Sequence, residues 1–152
     1  MCLTLLIALI AQLTASPANR HATITASPTE VGGKAGARVS LFVDIAPKPG
    51  IHVYAPGAKD YIAVALKLNP QPDVKVGKAA FPKSEMMFFE PLNEHVPVYQ
   101  KAFRLTQDVT LGKTVKAGST VTVAGTLSFQ ACDDRVCYAP ESVPVSWTVA
   151  VK

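Results

Sequence analysis

Val143-Pro144-Val145-Ser146-Trp147-Thr148-Val149-Ala150-Val151 decides the fold, because its apolar side chains fall on every second residue. A period of two places Val143, Val145, Trp147, Val149 and Val151 on one face of an extended strand, with polar or small residues on the other. The same alternation recurs upstream at Val121, Val123, Leu127 and Phe129, at Phe103 and Leu105, at Ile62, Val64, Leu66 and Leu68, and at Val39, Leu41, Val43 and Ile45. Twelve prolines and nine glycines lie between Pro17 and Pro144, leaving no room for long helices. These features predict an all-β chain of seven or so short strands, folded as a two-layer antiparallel sandwich of immunoglobulin-like architecture.

Composition sets the outer bounds. The 152 residues are 49% hydrophobic and 17% charged, enough for one domain with its own core. The net charge of +4 comes from Lys and Arg scattered singly, without a basic run or interleaved aromatics, which argues against a nucleic-acid partner. No Ser-His-Asp set, phosphate-cradling glycine loop or spaced carboxylate pair stands out, so hydrolase chemistry gains no support. No cofactor is implied.

The amino-terminal stretch differs in character. Residues 1–15 carry no charged side chain, and Leu3 to Leu13 is nearly all apolar, too short to span a bilayer. With small residues following, it reads as an export signal cleaved after Ala15 or Ala18, although a basic start is missing. Residues 16–152 then form a single exported domain without a stable membrane span. Removal of the leader takes Cys2 with it and leaves Cys132 and Cys137, a pair that an oxidising compartment can join.

Two stretches break the strand rhythm. Phe81 to Pro97 contains three prolines and no alternation, and reads as a long, unusually apolar loop whose aromatic and Met side chains must cover something. Phe129 to Pro140 carries the cysteines. On a continuous strand, positions five apart would be roughly 16 Å from each other, far beyond the roughly 4.4–6.8 Å of bridged cysteines. A turn through Asp133 to Val136 would make Cys132 and Cys137 the closing pair of a hairpin, a spacing compatible with a disulfide. Closing so short a loop removes only about 2 kcal/mol of unfolded-state entropy, against about 4.7 for a 100-residue loop. That favours reversible exchange over stapling, while a simple structural clip stays open.

The flanks of this pair resemble a known family. Phe129-Gln130-Ala131-Cys132 and Cys137-Tyr138-Ala139-Pro140-Glu141, together with Pro49-Gly50-Ile51-His52-Val53-Tyr54 and Val98-Tyr99-Gln100-Lys101-Ala102-Phe103-Arg104-Leu105, resemble the amino-terminal domain of the thiol:disulfide interchange protein DsbD. The resemblance implies an immunoglobulin-like periplasmic domain whose Cys132–Cys137 pair takes reducing equivalents from a thioredoxin-like donor or a membrane electron conduit and passes them to oxidised periplasmic thiol proteins. By the same analogy Cys137 forms the mixed disulfide and Cys132 resolves it. Tyr54 stands at a matching tyrosine position, and His52 replaces a second aromatic. The segment from Phe88 to His95 falls where the family has a cap over the cysteines, which makes Phe88, Phe89 and Leu92 the candidate shielding residues. The family's founding members have one residue more between the cysteines, and a proline where Ala139 stands.

Two other readings compete. An exported binding module would need the pair only as an inert clip. A Cu(I) or zinc carrier would draw on Cys132, Cys137, His52, His95 and Met86 or Met87, whose ligand types are suitable but whose spacing lacks a second close pair.

Overall fold

Apart from one register noted below, each alternating segment becomes a strand, and its apolar parity becomes the core. In the computed structural model the described residues are 20–28, 30–90 and 93–152, so the expected leader at residues 1–15 and the candidate cap residue Leu92 lie outside them. One sheet consists of β1 (Ala22–Ala26), β3 (Arg38–Pro47), β9 (Phe103–Leu111) and β6 (Val74–Ala80), in that order. A second consists of β2 (Glu30–Gly33), β12 (Glu141–Val151), β10 (Thr120–Phe129) and β5 (Ala65–Leu68). All pairings in these two sheets are antiparallel except β2 with β12.

The two sheets share one core. Val39, Leu41, Val43, Ile45, Leu105 and Val109 from the first pack with Val123, Leu127, Phe129, Val143, Trp147 and Val149 from the second. Trp147 ties the layers together, its indole Nε1 donating to the Phe42 carbonyl at 3.1 Å. Pro144 is tolerated inside β12 because β2 pairs only with Thr148 to Val151, leaving that flank of the strand free where the proline sits.

The sandwich expectation holds, with two corrections. The long segment from Phe81 to Pro97 contains strands, not only loop: β7 (Glu85–Phe89) pairs antiparallel with β8 (Glu94–Tyr99). Together with β4 (His52–Tyr54) and β11 (Ala131–Cys132) they form a third small sheet in the order β11-β4-β8-β7. Consecutive apolar residues hid this hairpin, because one face of β7 packs on a satellite cluster while the other stays exposed. The second correction concerns Ile62, which is 46% exposed, and the strand begins only at Ala65. Asp60 adopts a left-handed backbone with φ 63°, and the Val64 amide turns inward to the Tyr54 carbonyl at 2.8 Å, so the apparent alternation starts in a loop.

The third sheet positions the site. β4 follows β3 after a turn at Gly50, whose φ of 76° suits a residue without a side chain, and β11 follows β10 after Gln130. Both strands leave the main layers with one face still on the core: Val53, Ala131 and Tyr99 belong to the main cluster. The opposite face carries the chemistry.

Candidate functional site

Register fixes what shares that face. Cys132 pairs with His52, Tyr54 with Val98, Met87 with Val96 and Phe89 with Glu94, so these side chains project from one side of the third sheet. Tyr54, Val96, Val98 and Cys132 form a small buried cluster, with Ala58, Tyr61, Met87 and Phe89 packed against it. The opposite parity of β7 carries Met86 and Phe88, which are 60% and 50% exposed, with the Phe88 ring 5.0 Å from that of His95. Of the candidate shielding residues, Phe89 therefore sits with the cysteine cluster and Phe88 faces away.

Cys132 and Cys137 are joined in a disulfide across an antiparallel bridge, with Cα atoms 4.1 Å apart, as the hairpin spacing allowed. The intervening turn is built by Asp133. Its Oδ1 accepts from the amides of Arg135 at 2.7 Å and Val136 at 2.8 Å, and its own amide donates to the Val136 carbonyl at 3.0 Å. Its Oδ2 accepts from the Tyr138 hydroxyl at 2.5 Å. These donors, Tyr138 first, hold the Asp133 carboxyl down at about 2, and the same bond raises the Tyr138 hydroxyl. Behind the turn, Tyr138 stacks on His21 at 4.0 Å, His21 bonds Glu141, and the Gln130 amide donates to the Tyr138 carbonyl at 3.1 Å. The loop between the cysteines is thus anchored from both sides.

The two sulfurs differ in access. Cys132 is 1% exposed, while Cys137 is exposed. The Tyr54 hydroxyl lies 3.3 Å from each sulfur, where its O–H can donate to either. The Tyr54 ring stacks on Tyr61 at 4.2 Å, and the Tyr61 hydroxyl donates to the Glu94 carboxylate at the start of β8. That bond lifts Tyr61 to about 12, and burial, aided by the Glu94 charge, raises Tyr54, so both hydroxyls keep their protons through the neutral range. Sequence reading missed Tyr61 and Glu94, which are separated by 33 residues and meet only through the third sheet.

His52 is buried opposite Cys132, its ring edge-on to Tyr54 at 5.6 Å. Burial lowers its basicity, partly opposed by the charges of Asp134 and Asp133. Among the described residues no group of three or more His, Cys, Asp or Glu is placed to hold a metal ion. His95 and Met86 lie on the other face of the sheet from the cysteines, so the ligand set imagined for a carrier is split between two faces.

A hairpin-closing cysteine pair carried at the edge of a sandwich, one sulfur buried and one exposed, has a geometry suited to thiol–disulfide exchange. Residues 22–146 match the family described as the N-terminal part of the thiol:disulfide interchange protein DsbD, and the chain belongs to that family. Among solved structures it is similar to the N-terminal periplasmic domain of ScsB from Proteus mirabilis, with a TM-score of 0.57 and 16% identity over 86% of this chain and 48% of that one. The chain thus spans about half the length of that ScsB domain. A family 123 glycoside hydrolase from Clostridium perfringens aligns with a TM-score of 0.39 and 9% identity, over 80% of this chain and 22% of that one. No curated protein sequence matches the chain. Among the described residues no helix is long and apolar enough to cross a membrane.

Proposed function

We propose that this chain is an exported thiol–disulfide exchange domain in which Cys132 and Cys137 carry two electrons between a thioredoxin-like donor, or a membrane electron conduit, and oxidised periplasmic thiol proteins. In the forward direction the Cys137 thiolate attacks a client disulfide, forming a mixed disulfide and releasing one client thiol. Cys132 then attacks the Cys137 sulfur, which closes the intramolecular disulfide and releases the second client thiol. The client is reduced by two electrons and the pair is oxidised. A donor dithiol reverses these steps on the domain and restores both thiols.

The observation that carries this reading is the asymmetry of access: an exposed Cys137 that a partner sulfur can reach, joined to a buried Cys132 suited to resolving the intermediate. Tyr54 serves the same chemistry by donating to whichever sulfur leaves as thiolate. Phe89 and Met87, on the inner parity of the cap hairpin, pack on the cluster that holds Cys132 and keep the resolving sulfur covered while Cys137 stays open to a partner.

Equilibrium titration of the pair against glutathione or dithiothreitol, with thiol trapping, tests the reading. A potential of roughly −180 to −270 mV, with Cys132→Ala accumulating a mixed disulfide on Cys137, is expected. A value below about −300 mV would make the pair a structural clip and the domain a binding module.

A further inference from the structure

We infer that His52 is the proton acceptor for Cys132 when that cysteine closes the ring and expels the client. The inference rests on the exchange reading above and adds to it a base for its second step.

Cys132 must lose its thiol proton to attack, yet at 1% exposure it is shielded from bulk water. That shielding favours an acceptor within the protein. His52 is directly across the β4–β11 ladder from Cys132 and on the same face of the sheet, 5% exposed. Its Nε2 is buried and has no hydrogen-bond partner. A buried, unpartnered ring nitrogen is unusual enough to need an explanation, and the thiol of a reduced Cys132, the cross-strand neighbour, is a donor that could supply it.

The other titratable groups facing this point are less suited. The Tyr54 hydroxyl stays protonated and acts as a donor. The Asp133 carboxylate is engaged by Tyr138, Arg135 and Val136. Asp134, exposed on the turn, and Asp133 act on His52 through their charges, favouring the imidazolium once formed. Burial keeps the ring neutral near pH 7, leaving Nε2 free to accept in the tautomer that carries the proton on Nδ1.

In this step the Cys132 thiol, the mixed disulfide at Cys137 and neutral His52 give the intramolecular disulfide, a client thiolate and protonated His52. The S–H bond of Cys132 and the client–Cys137 S–S bond break, the Cys132–Cys137 bond forms, and the imidazolium returns its proton to the departing thiolate or to solvent.

The test uses oxidised glutathione as the client. Reduced protein is mixed with it, quenched with acid, and the glutathionylated and ring-closed species are resolved by mass, giving separate rates for the two steps. In the wild type, ring closure is expected to be level through neutral pH and to slow as pH falls through the lowered pKa of His52. His52→Phe and His52→Gln should each slow ring closure about 100-fold at pH 7 and lose the level region, their rates rising with pH up to the thiol pKa, while glutathionylation of Cys137 changes less than about twofold. Glutamine can accept a hydrogen bond but not hold the proton, so a glutamine variant that closes at the wild-type rate would overturn the inference. A wild-type rate that rises steadily with pH through neutrality, without the level region, would overturn it as well, whichever variants fold. A wild type that forms no glutathione adduct at all would instead refute the exchange reading.

Discussion

Replacing Tyr54 with phenylalanine removes one oxygen and tests the site at its centre. The ring is 4% exposed and stacked 4.2 Å from Tyr61, so the Tyr54→Phe variant would keep the packing and lose only the hydroxyl. That hydroxyl is 3.3 Å from both sulfurs. Toward a neutral disulfide it makes a weak bond of about 0.5 kcal/mol, whereas toward a thiolate a charge-assisted bond contributes about 1.5–3 kcal/mol. The difference, about 1–2 kcal/mol, favours the reduced, ionised pair. Its loss should raise the Cys137 thiol pKa by about one unit. Above that pKa it should make the reduction potential more negative by about 20–45 mV. Because burial and the Glu94 charge raise the Tyr54 hydroxyl, it remains a donor across the pH range in which cysteine ionises. The assay is the pH profile of Cys137 alkylation by iodoacetamide, followed by mass, together with a glutathione titration at about pH 9, above the ordinary cysteine pKa. An unchanged pKa and potential in a folded Tyr54→Phe protein would show that the hydroxyl does not select the thiolate, and would reduce Tyr54 to a packing residue.

Three other changes separate neighbouring causes. Phe89→Ala, which removes about 1 kcal/mol of apolar cover from the cysteine cluster, should speed reduction of the disulfide by dithiothreitol about fivefold, while Phe88→Ala on the exposed parity should leave it unchanged. Gly125→Ala should lower stability by about 1–3 kcal/mol in urea unfolding, because a Cβ there would meet the Lys67 carbonyl oxygen at 2.6 Å and the Leu68 Cα at 3.0 Å. Asp133→Asn should lower the melting temperature in a pH-dependent way: a carboxyl held at about 2 stabilises the fold above its ordinary 3.8, and that contribution is lost as pH falls through about 2. The gap between variant and wild type should therefore be widest above pH 3.8 and narrow toward pH 2.

The sandwich was legible because β3, β10 and β12 each bury one parity against a single core, and a period of two survives in the sequence wherever one face is wet. Val39 to Ile45 and Val143 to Val151 are read correctly for that reason. The third sheet was not legible. Glu85-Met86-Met87-Phe88-Phe89 has apolar residues on both parities, Met87 and Phe89 for the cysteine cluster and Met86 and Phe88 for the outside, so alternation vanishes. The cysteine pair could be found from its spacing and flanks, and Tyr54 from its motif. The Tyr61–Glu94 bond and the placement of Phe89 depend on register in a sheet whose strands come from separated parts of the chain, and register leaves no mark in linear spacing.

This division of labour also explains why the site sits where it does. A disulfide within the sandwich core would have both sulfurs buried, and partner sulfurs could reach neither. One on a free loop would have both exposed, with nothing to orient a resolving thiol. β11 lies at the edge of a small sheet whose inner face still rests on the core through Ala131 and Val53, and only two residues of strand precede the turn. Cys132 is consequently fixed by ladder and cluster, while Cys137, beyond an Asp133-anchored turn, faces solvent. The cover over the Cys132 cluster is the β7–β8 hairpin, which joins β4 through the β8 ladder and adds the Tyr61–Glu94 bond and the packing of Met87 and Phe89, with no ladder contact to β11 itself. Rotation of the Met87 and Phe89 side chains breaks no backbone pairing, so the cover over Cys132 can change while the ladder that serves Cys132, Tyr54 and His52 is kept.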